Sequence, residues 1–242
     1  MHTLVVIPTY NEAPNVPVVL TRVRAALPDA EVLVVDDGSP DGTADLAEAT
    51  GKEVGSVHVL RRAGKSGLGS AYRDGFAWGM ERGAQVLVEM DADLQHDPAA
   101  LPQLVGPVVA GDAGLVIGSR YIPGGAIPAW PWHRRMLSRW GNRYAGAVLG
   151  LGVRDATAGY RAYAASTLRS IDLAAVRADG YAFQIEMAYR SARSGARVRE
   201  VPIRFGERSA GTSKMSGTII VEALVLVTWW ALRDRVLRRG RR

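Results

Sequence analysis

The amino-terminal half of the chain alternates short, unbroken runs of aliphatic and β-branched residues with segments that have a helical pattern. Unbroken apolar runs of this length are typical of strands buried on both faces, as in a parallel sheet covered by helices. The alternation therefore predicts a doubly wound α/β unit. Its predicted strands are Thr3–Pro8, Glu31–Asp36, Val57–Arg61, Gln85–Asp91 and Leu115–Gly118, and its predicted helices are Val16–Leu27, Thr43–Ala49, Ser70–Arg82 and Pro98–Ala110.

The second half is less regular. It predicts helices at His133–Leu149 and Phe183–Ser194, a strand at Val198–Phe205 and a final apolar segment, Thr218–Leu232. A chain of 242 residues with 48% apolar residues can bury one sizeable core. The absence of cysteine excludes structural disulfides and thiolate metal sites.

Most of the positive charge is concentrated at the carboxyl terminus. The formal net charge is +6, and the last ten residues, Arg233–Arg242, contain six arginines and one aspartate. The rest of the chain is nearly neutral and has no basic stripe, so nucleic acid is not expected as a partner. The amino terminus enters a strand directly and does not resemble a signal peptide, so we expect the protein to stay in the cytoplasm.

Polar and acidic residues follow three of the predicted strands: Pro8–Glu12, Asp36–Ser39 and Asp91–Asp93. Ligands of doubly wound sheets bind at the carboxyl ends of the strands, so these segments predict a binding site. Asp91 and Asp93 can both reach one cation where a strand bends into a loop, and such oxygen ligands suit Mg²⁺ or Mn²⁺. The alternative is a solvated acidic turn.

Two loops allow both a structural and a functional interpretation. Asp36–Thr43 is a good turn and helix cap, but adjacent acids at a strand end also suit recognition of a base or ribose. Arg62–Gly69 is rich in glycine but is not a P-loop, because Val59 stands where that motif needs glycine. It is either a loop that approaches a diphosphate or a flexible turn.

Several cations in the second half can be solvated surface charges or phosphate ligands. They are Arg120, Arg134, Arg135, Arg208 and Lys214.

With these segments in order, the chain resembles the family 2 glycosyltransferases, specifically the dolichol-phosphate (polyprenol-phosphate) mannose synthase group. The resemblance extends from Val5 to about Leu232. The matching segments are Ile7–Glu12, Val35–Thr43, Gly67–Tyr72, Met90–His96, Gly118–Tyr121, Ser138–Arg139, Asp155–Arg161, Gly180–Glu186, Glu200–Ile203 and the loop from Arg208 to Lys214.

The resemblance implies a GT-A fold, a mostly parallel sheet flanked by helices, and a role for each matching residue. Those expected to hold the nucleotide are Pro8, Tyr10, Glu12, Val35 and Asp37. Those expected at the donor diphosphate are Lys65, Asp91, Ala92, Asp93 and Gln95, of which Asp91, Asp93 and Gln95 would hold Mg²⁺ or Mn²⁺. Those expected to bind phosphates, including that of the acceptor, are Arg120, Arg134, Ser138, Arg208 and Lys214, which with Asp93 form the expected catalytic set.

The implied reaction is inverting transfer of mannose from GDP-mannose to a polyprenyl phosphate. A phosphate monoester is already largely anionic at neutral pH, so this acceptor needs no histidine base. One alternative keeps the fold and uses UDP-glucose. Two others are a non-catalytic membrane scaffold, which would not need an intact metal motif, and a nucleotidyltransferase, which would not need the apolar carboxyl-terminal segment.

The segment Thr218–Leu232 is interrupted by Glu222 and is shorter than the roughly 20 residues that span a bilayer. Trp229 and Trp230, followed by the arginine-rich tail, favour an interfacial anchor; a buried core helix is the alternative. We therefore expect a catalytic domain at residues 1–214 and a membrane-associating region at 215–242. The protein would lie on the cytoplasmic face of the membrane, with a membrane protein as a possible partner.

Overall fold

Seven strands form one sheet in a computed structural model that describes residues 1–128, 130–206 and 223–233. The strands are β1 (Thr3–Thr9), β2 (Glu31–Asp36), β3 (Val57–Arg61), β4 (Val86–Glu89), β5 (Leu115–Ser119), β6 (Arg161–Ala164) and β7 (Val198–Pro202). The helices are α1 (Val16–Ala26), α2 (Thr43–Val54), α3 (Leu68–Glu81), α4 (Leu101–Val109), α5 (Trp132–Leu149), α6 (Ala165–Ser170) and α7 (Gly180–Arg193), with short 3-10 turns at Pro98–Ala100 and Leu173–Ala175.

The strand order is β3-β2-β1-β4-β6-β5-β7. All neighbouring strands pair in parallel except β6, which lies between β4 and β5 and is antiparallel to both. Because β6 runs in the opposite direction, its first residue lies at the edge where β4 and β5 end. Arg161 accordingly pairs with Glu89 and Ile117 in the two registers.

Helices cover both faces of the sheet, so its strands are buried on two sides. Along β1, Val5 and Ile7 face one core cluster that includes α1 and α4, while Leu4 and Val6 face another that includes α3 and α7. The unbroken apolar runs in the sequence follow from this double coverage. The expected layered α/β fold is therefore confirmed.

The predicted elements agree with the structure apart from several ends and one missed pair. β4 ends at Glu89 because the N–H of Asp91 donates to the side chain of His96 and not to a neighbouring strand. The predicted helix from Pro98 begins as a 3-10 turn. The sequence analysis did not predict β6 or α6, since the four residues Arg161–Ala164 include a charged side chain that the fold buries completely.

Residues 223–233 are helical and pack on α5 and α7 through one face. Trp230 is buried and stacks on Tyr189, with ring centroids 6.2 Å apart, and the hydroxyls of Tyr144 and Thr228 lie 2.7 Å apart. Trp229 is 53% exposed. The segment therefore combines a packed face with an exposed one, and the expected boundary between 214 and 215 lies outside the described residues. No helix in the described part of the chain is long and apolar enough to cross a membrane.

Glycines let α3 approach β1 closely. A Cβ added at Gly75 would lie 2.4 Å from Cγ1 of Val6, and one added at Gly79 would lie 2.5 Å from Cδ2 of Leu4. Both distances are far below van der Waals contact, so a Cβ at either position would displace the helix or the side chains of β1 that it meets.

We expect Gly75→Ala to lower the free energy of unfolding by about 1–3 kcal/mol, because the methyl group overpacks the helix against the sheet. Gly106 in α4 is a matched control, since an added Cβ there meets no atom within 4 Å. Gly106→Ala should be neutral or stabilising by up to about 1 kcal/mol. Urea denaturation of both variants measures the difference, and equal effects would contradict the packing argument.

Candidate active site

A cleft of about 460 Å³ lies at the carboxyl ends of β1, β2 and β4. Its lining includes most of the residues predicted for the site. These are Pro8, Tyr10, Glu12, Asp37, Lys65, Asp91, Ala92, Asp93, Gln95, Arg120 and Arg134. The strand ends bring these side chains together from distant parts of the sequence, as expected for parallel strands.

The two adjacent acids at the end of β2, Asp36 and Asp37, have different environments. Asp36 is buried and accepts hydrogen bonds from the hydroxyls of Thr9 (2.9 Å) and Ser39 (2.6 Å), so it fixes the turn. Asp37 lines the cleft and pairs with Arg62 at 2.6 Å. Asp36 therefore has a structural role, and Asp37 lies where the functional interpretation requires it.

Val35 does not lie in the cleft, although it was predicted in the nucleotide site. Its side chain is fully buried in the core cluster that also contains Leu4 and Val6. The reason is the two-residue repeat of a strand: Val35 points into the core, one residue before the acids that follow β2.

The glycine-rich loop before α3 approaches the cleft from the other side. The ammonium group of Lys65 lies 4.7 Å from the ring centroid of Tyr10, and both residues line the cleft. The loop is tied to Asp37, whose carboxylate accepts a hydrogen bond from the backbone N–H of Ser66 at 3.3 Å. A cation is therefore held near the acids at the strand ends.

The segment Asp91–Gln95 forms a tight turn that presents oxygen atoms. Asp91 Oδ1 accepts a hydrogen bond from the hydroxyl of Tyr72 at 3.1 Å, and Asp93 Oδ1 accepts one from the backbone N–H of Gln95 at 3.1 Å. Leu94 adopts a left-handed conformation, with φ of 61°, which closes the turn. The side-chain amide of Gln95 donates to the carbonyl of Gly206 at 3.1 Å.

These oxygen atoms fit a hard cation such as Mg²⁺ or Mn²⁺. The part of the chain that the structure describes contains no cluster of three or more acidic, histidine or cysteine side chains that could hold a metal alone. A cation at Asp91 and Asp93 would therefore need further ligands, and substrate phosphates commonly supply them.

His96 supports this turn from beneath. It is buried and stacks on Tyr160, and its Nδ1 accepts the backbone N–H of Asp91 at 3.2 Å. Burial lowers the pKa of His96 to about 4, so the ring is neutral at physiological pH and its Nδ1 can accept this hydrogen bond.

Arg120 lies at the wall of the cleft in a buried ion pair. Its guanidinium donates two hydrogen bonds of 2.7 Å to Asp155 and one of 2.8 Å to the hydroxyl of Thr157. Burial alone would lower the pKa of Arg120, but the carboxylate of Asp155 outweighs burial and raises it. Arg120 is thus permanently charged, and Asp155 balances that charge.

Arg134 and Ser138 lie one helical turn apart in α5, as predicted, and both line an apolar groove beside the cleft, but only Arg134 also lines the cleft. The hydroxyl of Ser138 accepts a hydrogen bond from Tyr121 at 2.7 Å. Arg208 and Lys214, the other predicted phosphate ligands, lie outside the described residues.

The groove lies between α5, the start of α7 and residues 223–233. Its volume is about 80 Å³, and its lining is mainly apolar, with Leu137, Ile185, Ala223 and Val227 among the residues. It shares Trp130, Arg134, Thr157 and Tyr181 with the cleft. A polar cavity and an apolar one therefore meet at these four residues.

The sequence analysis missed residues at the start of α7. Asp179, Gly180, Tyr181 and Gln184 line the cleft, and the carboxylate of Asp179 accepts the backbone N–H of Gly69 at 2.6 Å. The segment Gly180–Glu186 was noted for its resemblance to the family, but its pattern alone assigned no role to it. Only the fold brings α7 to the amino terminus of α3.

Two buried charges beneath the site were also missed. Arg161 is fully buried and donates hydrogen bonds of 2.7 Å to the carbonyls of Ala156, Ala158 and Gln184. Burial raises the pKa of Glu89 to about 7, although the charge of Arg161 opposes this shift. Arg161 therefore fixes the turn that carries Thr157 and Gly159 into the cleft wall.

The model of glycosyl transferase family 2 matches residues 4–171. The chain belongs to this family. The resemblance inferred from the sequence is thereby confirmed, and so is the prediction that the protein is a glycosyltransferase.

Two curated relatives match almost the whole chain. It is 55% identical to the undecaprenyl-phosphate mannosyltransferase of Micrococcus luteus over 235 aligned residues. The alignment covers 97% of this chain and 96% of the relative. The chain is 52% identical to the polyprenol monophosphomannose synthase of Mycolicibacterium smegmatis over 237 aligned residues. This alignment covers 98% of this chain and 89% of the relative.

Solved structures share the fold at low sequence identity. Glucosyl-3-phosphoglycerate synthase from Mycobacterium tuberculosis in complex with phosphoglyceric acid has a TM-score of 0.69 and 19% identity, over 95% of this chain and 79% of that chain. The same enzyme with Mg²⁺ and uridine diphosphate has a TM-score of 0.70 and 19% identity, with the same coverage. The family match and these similarities establish the expected GT-A fold.

The buried ion pair of Arg120 and Asp155 provides a test of the geometry. Asp155→Asn leaves the buried guanidinium of Arg120 without a counter-charge, so we expect the free energy of unfolding to fall by about 3–5 kcal/mol. The exposed pair of Asp112 and Arg199, at 3.2 Å, is the control. Asp112→Asn should change stability by less than about 1 kcal/mol in urea denaturation. Similar losses in the two variants would show that the Arg120 pair is not buried as described.

Proposed function

We propose that this glycosyltransferase transfers mannose from GDP-mannose to a polyprenyl phosphate with inversion, giving polyprenyl phosphomannose and GDP. The observation that carries the proposal is the junction of a polar cleft with an apolar groove at Arg134. An acceptor with an anionic head and a hydrocarbon tail matches such a junction. The names of the two relatives, a mannosyltransferase and a phosphomannose synthase acting on polyprenols, support the same donor sugar and acceptor.

The donor would bind across the strand ends. Its nucleotide would contact the segment from Pro8 to Glu12 together with Asp37, and its diphosphate would lie near Lys65 and the Asp91–Gln95 turn. Mg²⁺ or Mn²⁺, held by Asp91, Asp93 and the amide oxygen of Gln95, would neutralise charge on the leaving diphosphate. Structural relatives of the same fold contain Mn²⁺ or Mg²⁺, which supports this choice of cation.

The acceptor phosphate would bind where the cleft meets the groove. Arg134 supplies charge at the mouth of the groove, Arg120 contributes hydrogen-bond donors, and Ser138 lies one turn further along α5. We retain Arg208 and Lys214 in the proposal as further phosphate ligands. The phosphate oxygen is already anionic near neutral pH, so these residues orient the nucleophile and balance its charge.

The chemistry is a single displacement at the anomeric carbon. An oxygen of the acceptor phosphate forms a bond to this carbon as the bond to the nucleoside diphosphate breaks. The electron pair leaves with the diphosphate, and no proton has to be transferred. We propose that the acceptor oxygen attacks from the face opposite the leaving group, which inverts the configuration.

The exposed apolar residues support binding at a membrane surface. Trp132, Met136 and Trp140 recur at four-residue intervals along α5 and are 53–67% exposed. Val225, Trp229 and Leu232 occupy the exposed face of the helical segment 223–233. We propose that these two stripes contact the cytoplasmic face of the membrane, beside the groove that would receive the lipid. We also propose that the arginine-rich tail binds the membrane surface and that a membrane protein is a partner of this enzyme.

The reaction is tested by incubating the protein with a short polyprenyl phosphate and radiolabelled GDP-mannose or UDP-glucose, with and without EDTA. We expect EDTA-sensitive label in the lipid from GDP-mannose alone. Asp93→Asn should lower transfer at least about 100-fold because charge on the leaving group is no longer balanced. Asp45→Asn, which alters an exposed pair with Arg61, should leave transfer unchanged.

If only UDP-glucose labels the lipid, the donor is UDP-glucose and the proposed mechanism is unchanged. Absence of label from both donors, in the presence of added membranes, would contradict the acceptor assignment.

The membrane surface is tested by flotation with anionic vesicles. Trp132→Ser combined with Trp229→Ser should weaken vesicle binding by roughly tenfold or more, because two large apolar side chains no longer leave water. Trp78→Ser on α3 is the control, since Trp78 belongs to neither stripe. Unchanged flotation of the double variant would exclude this face as the membrane contact.

A further inference from the structure

Trp130 lies where the polar cleft and the apolar groove meet, and it lines both cavities. Its side chain is only 7% exposed. One side of the indole carries the guanidinium of Arg134, whose Cζ lies 3.9 Å from the ring centroid. Phe205 packs against the indole edge to face, with centroids 5.8 Å apart, so the ring is itself held in place.

Stacking of this kind suits a guanidinium that must also bind an anion. A guanidinium stacks through its face, while its N–H groups lie in the plane and point outwards. The contact therefore restrains a long, flexible side chain without occupying the direction in which it would donate to a phosphate. A lysine at this position would keep the charge but would have no planar face to stack.

The distribution of charge makes the position of Arg134 important. Arg120 is the other arginine among the described residues that line the cleft, and Asp155 balances its charge. Arg134 is the charged residue among the described residues that line the groove. An acceptor whose tail lies in the groove must place its phosphate at this border, where a shift of the guanidinium changes the contact directly.

We infer that Trp130 is a positioning residue of the transfer reaction: its indole holds the guanidinium of Arg134 at the mouth of the groove, directed at the acceptor phosphate. This inference rests on the proposed function. It assigns to Trp130 an effect on acceptor binding and none on donor binding, because Trp130 and Arg134 border the groove, whereas the residues proposed to hold the donor line the cleft alone.

The chain offers a matched control. On α3, the Cζ of Arg82 lies 3.9 Å from the ring centroid of Trp78, the same separation as in the pair at the cleft. Neither residue lines the cleft or the groove. Removing the indole there deletes an equivalent contact without touching the site.

The experiment measures kcat and the two KM values of Trp130→Leu, Trp130→Phe and Trp78→Leu with a short-chain polyprenyl phosphate. Trp130→Leu should raise KM for the acceptor roughly tenfold and change KM for GDP-mannose less than about twofold. Trp130→Phe keeps an aromatic face and should recover most of the loss. Trp78→Leu should match the unaltered protein.

A double-mutant cycle separates positioning from general damage to the fold. Arg134→Lys removes the planar group, so once it is present Trp130→Leu should have little further effect on KM for the acceptor. Fully additive effects would overturn the inference, as would an equal rise in both KM values or a failure of Trp130→Phe to recover. If the unaltered protein transfers no sugar to the lipid, the proposed function is wrong, and so is the inference. If the unaltered protein transfers sugar but Trp130→Leu leaves KM for the acceptor unchanged, only the inference is wrong.

Discussion

The direction of the strands is the constraint on which the site depends. β1, β2 and β4 run parallel, so the acids and the turn that follow them emerge at one edge of the sheet. The antiparallel β6 brings its start to that same edge, and with it the turn containing Thr157 and Gly159. The parallel strands thus supply the acidic part of the cleft lining, and the reversed strand supplies the part that contains Thr157 and Gly159.

Charges buried beneath the cleft hold its walls in place. An isolated buried charge is costly, but Arg161 is satisfied by three backbone carbonyls and Arg120 by Asp155. Asp155 also accepts the backbone N–H of Arg120 at 2.9 Å, while its own N–H donates to Glu200 at 3.0 Å. These networks connect β5, β6 and β7 below the site, so residues far apart in sequence define one rigid wall.

The lining residues change from polar at the edge of the sheet to apolar in the groove. Carboxylates lie at the strand ends, Arg120 and Arg134 also line the cleft, and the apolar groove extends from Arg134 along α5 and the segment 223–233. The exposed tryptophans lie on the same two helical elements. The acceptor that we propose, with an anionic head and an apolar tail, would meet matching chemistry along this path.

The sequence by itself determined the layered fold, most strand and helix positions, the family and the acidic and polar residues at the strand ends that line the cleft. These follow from local patterns: apolar periodicity, turn residues and short motifs at strand ends. Tertiary structure decided which way each side chain points and what it meets. It buried Asp36 while leaving Asp37 in the cleft, and it placed Val35 in the core. It also paired Arg120 with Asp155 and stacked Arg134 on Trp130. Each outcome depends on contacts between segments that are distant in sequence, and a local pattern does not record how such segments pack.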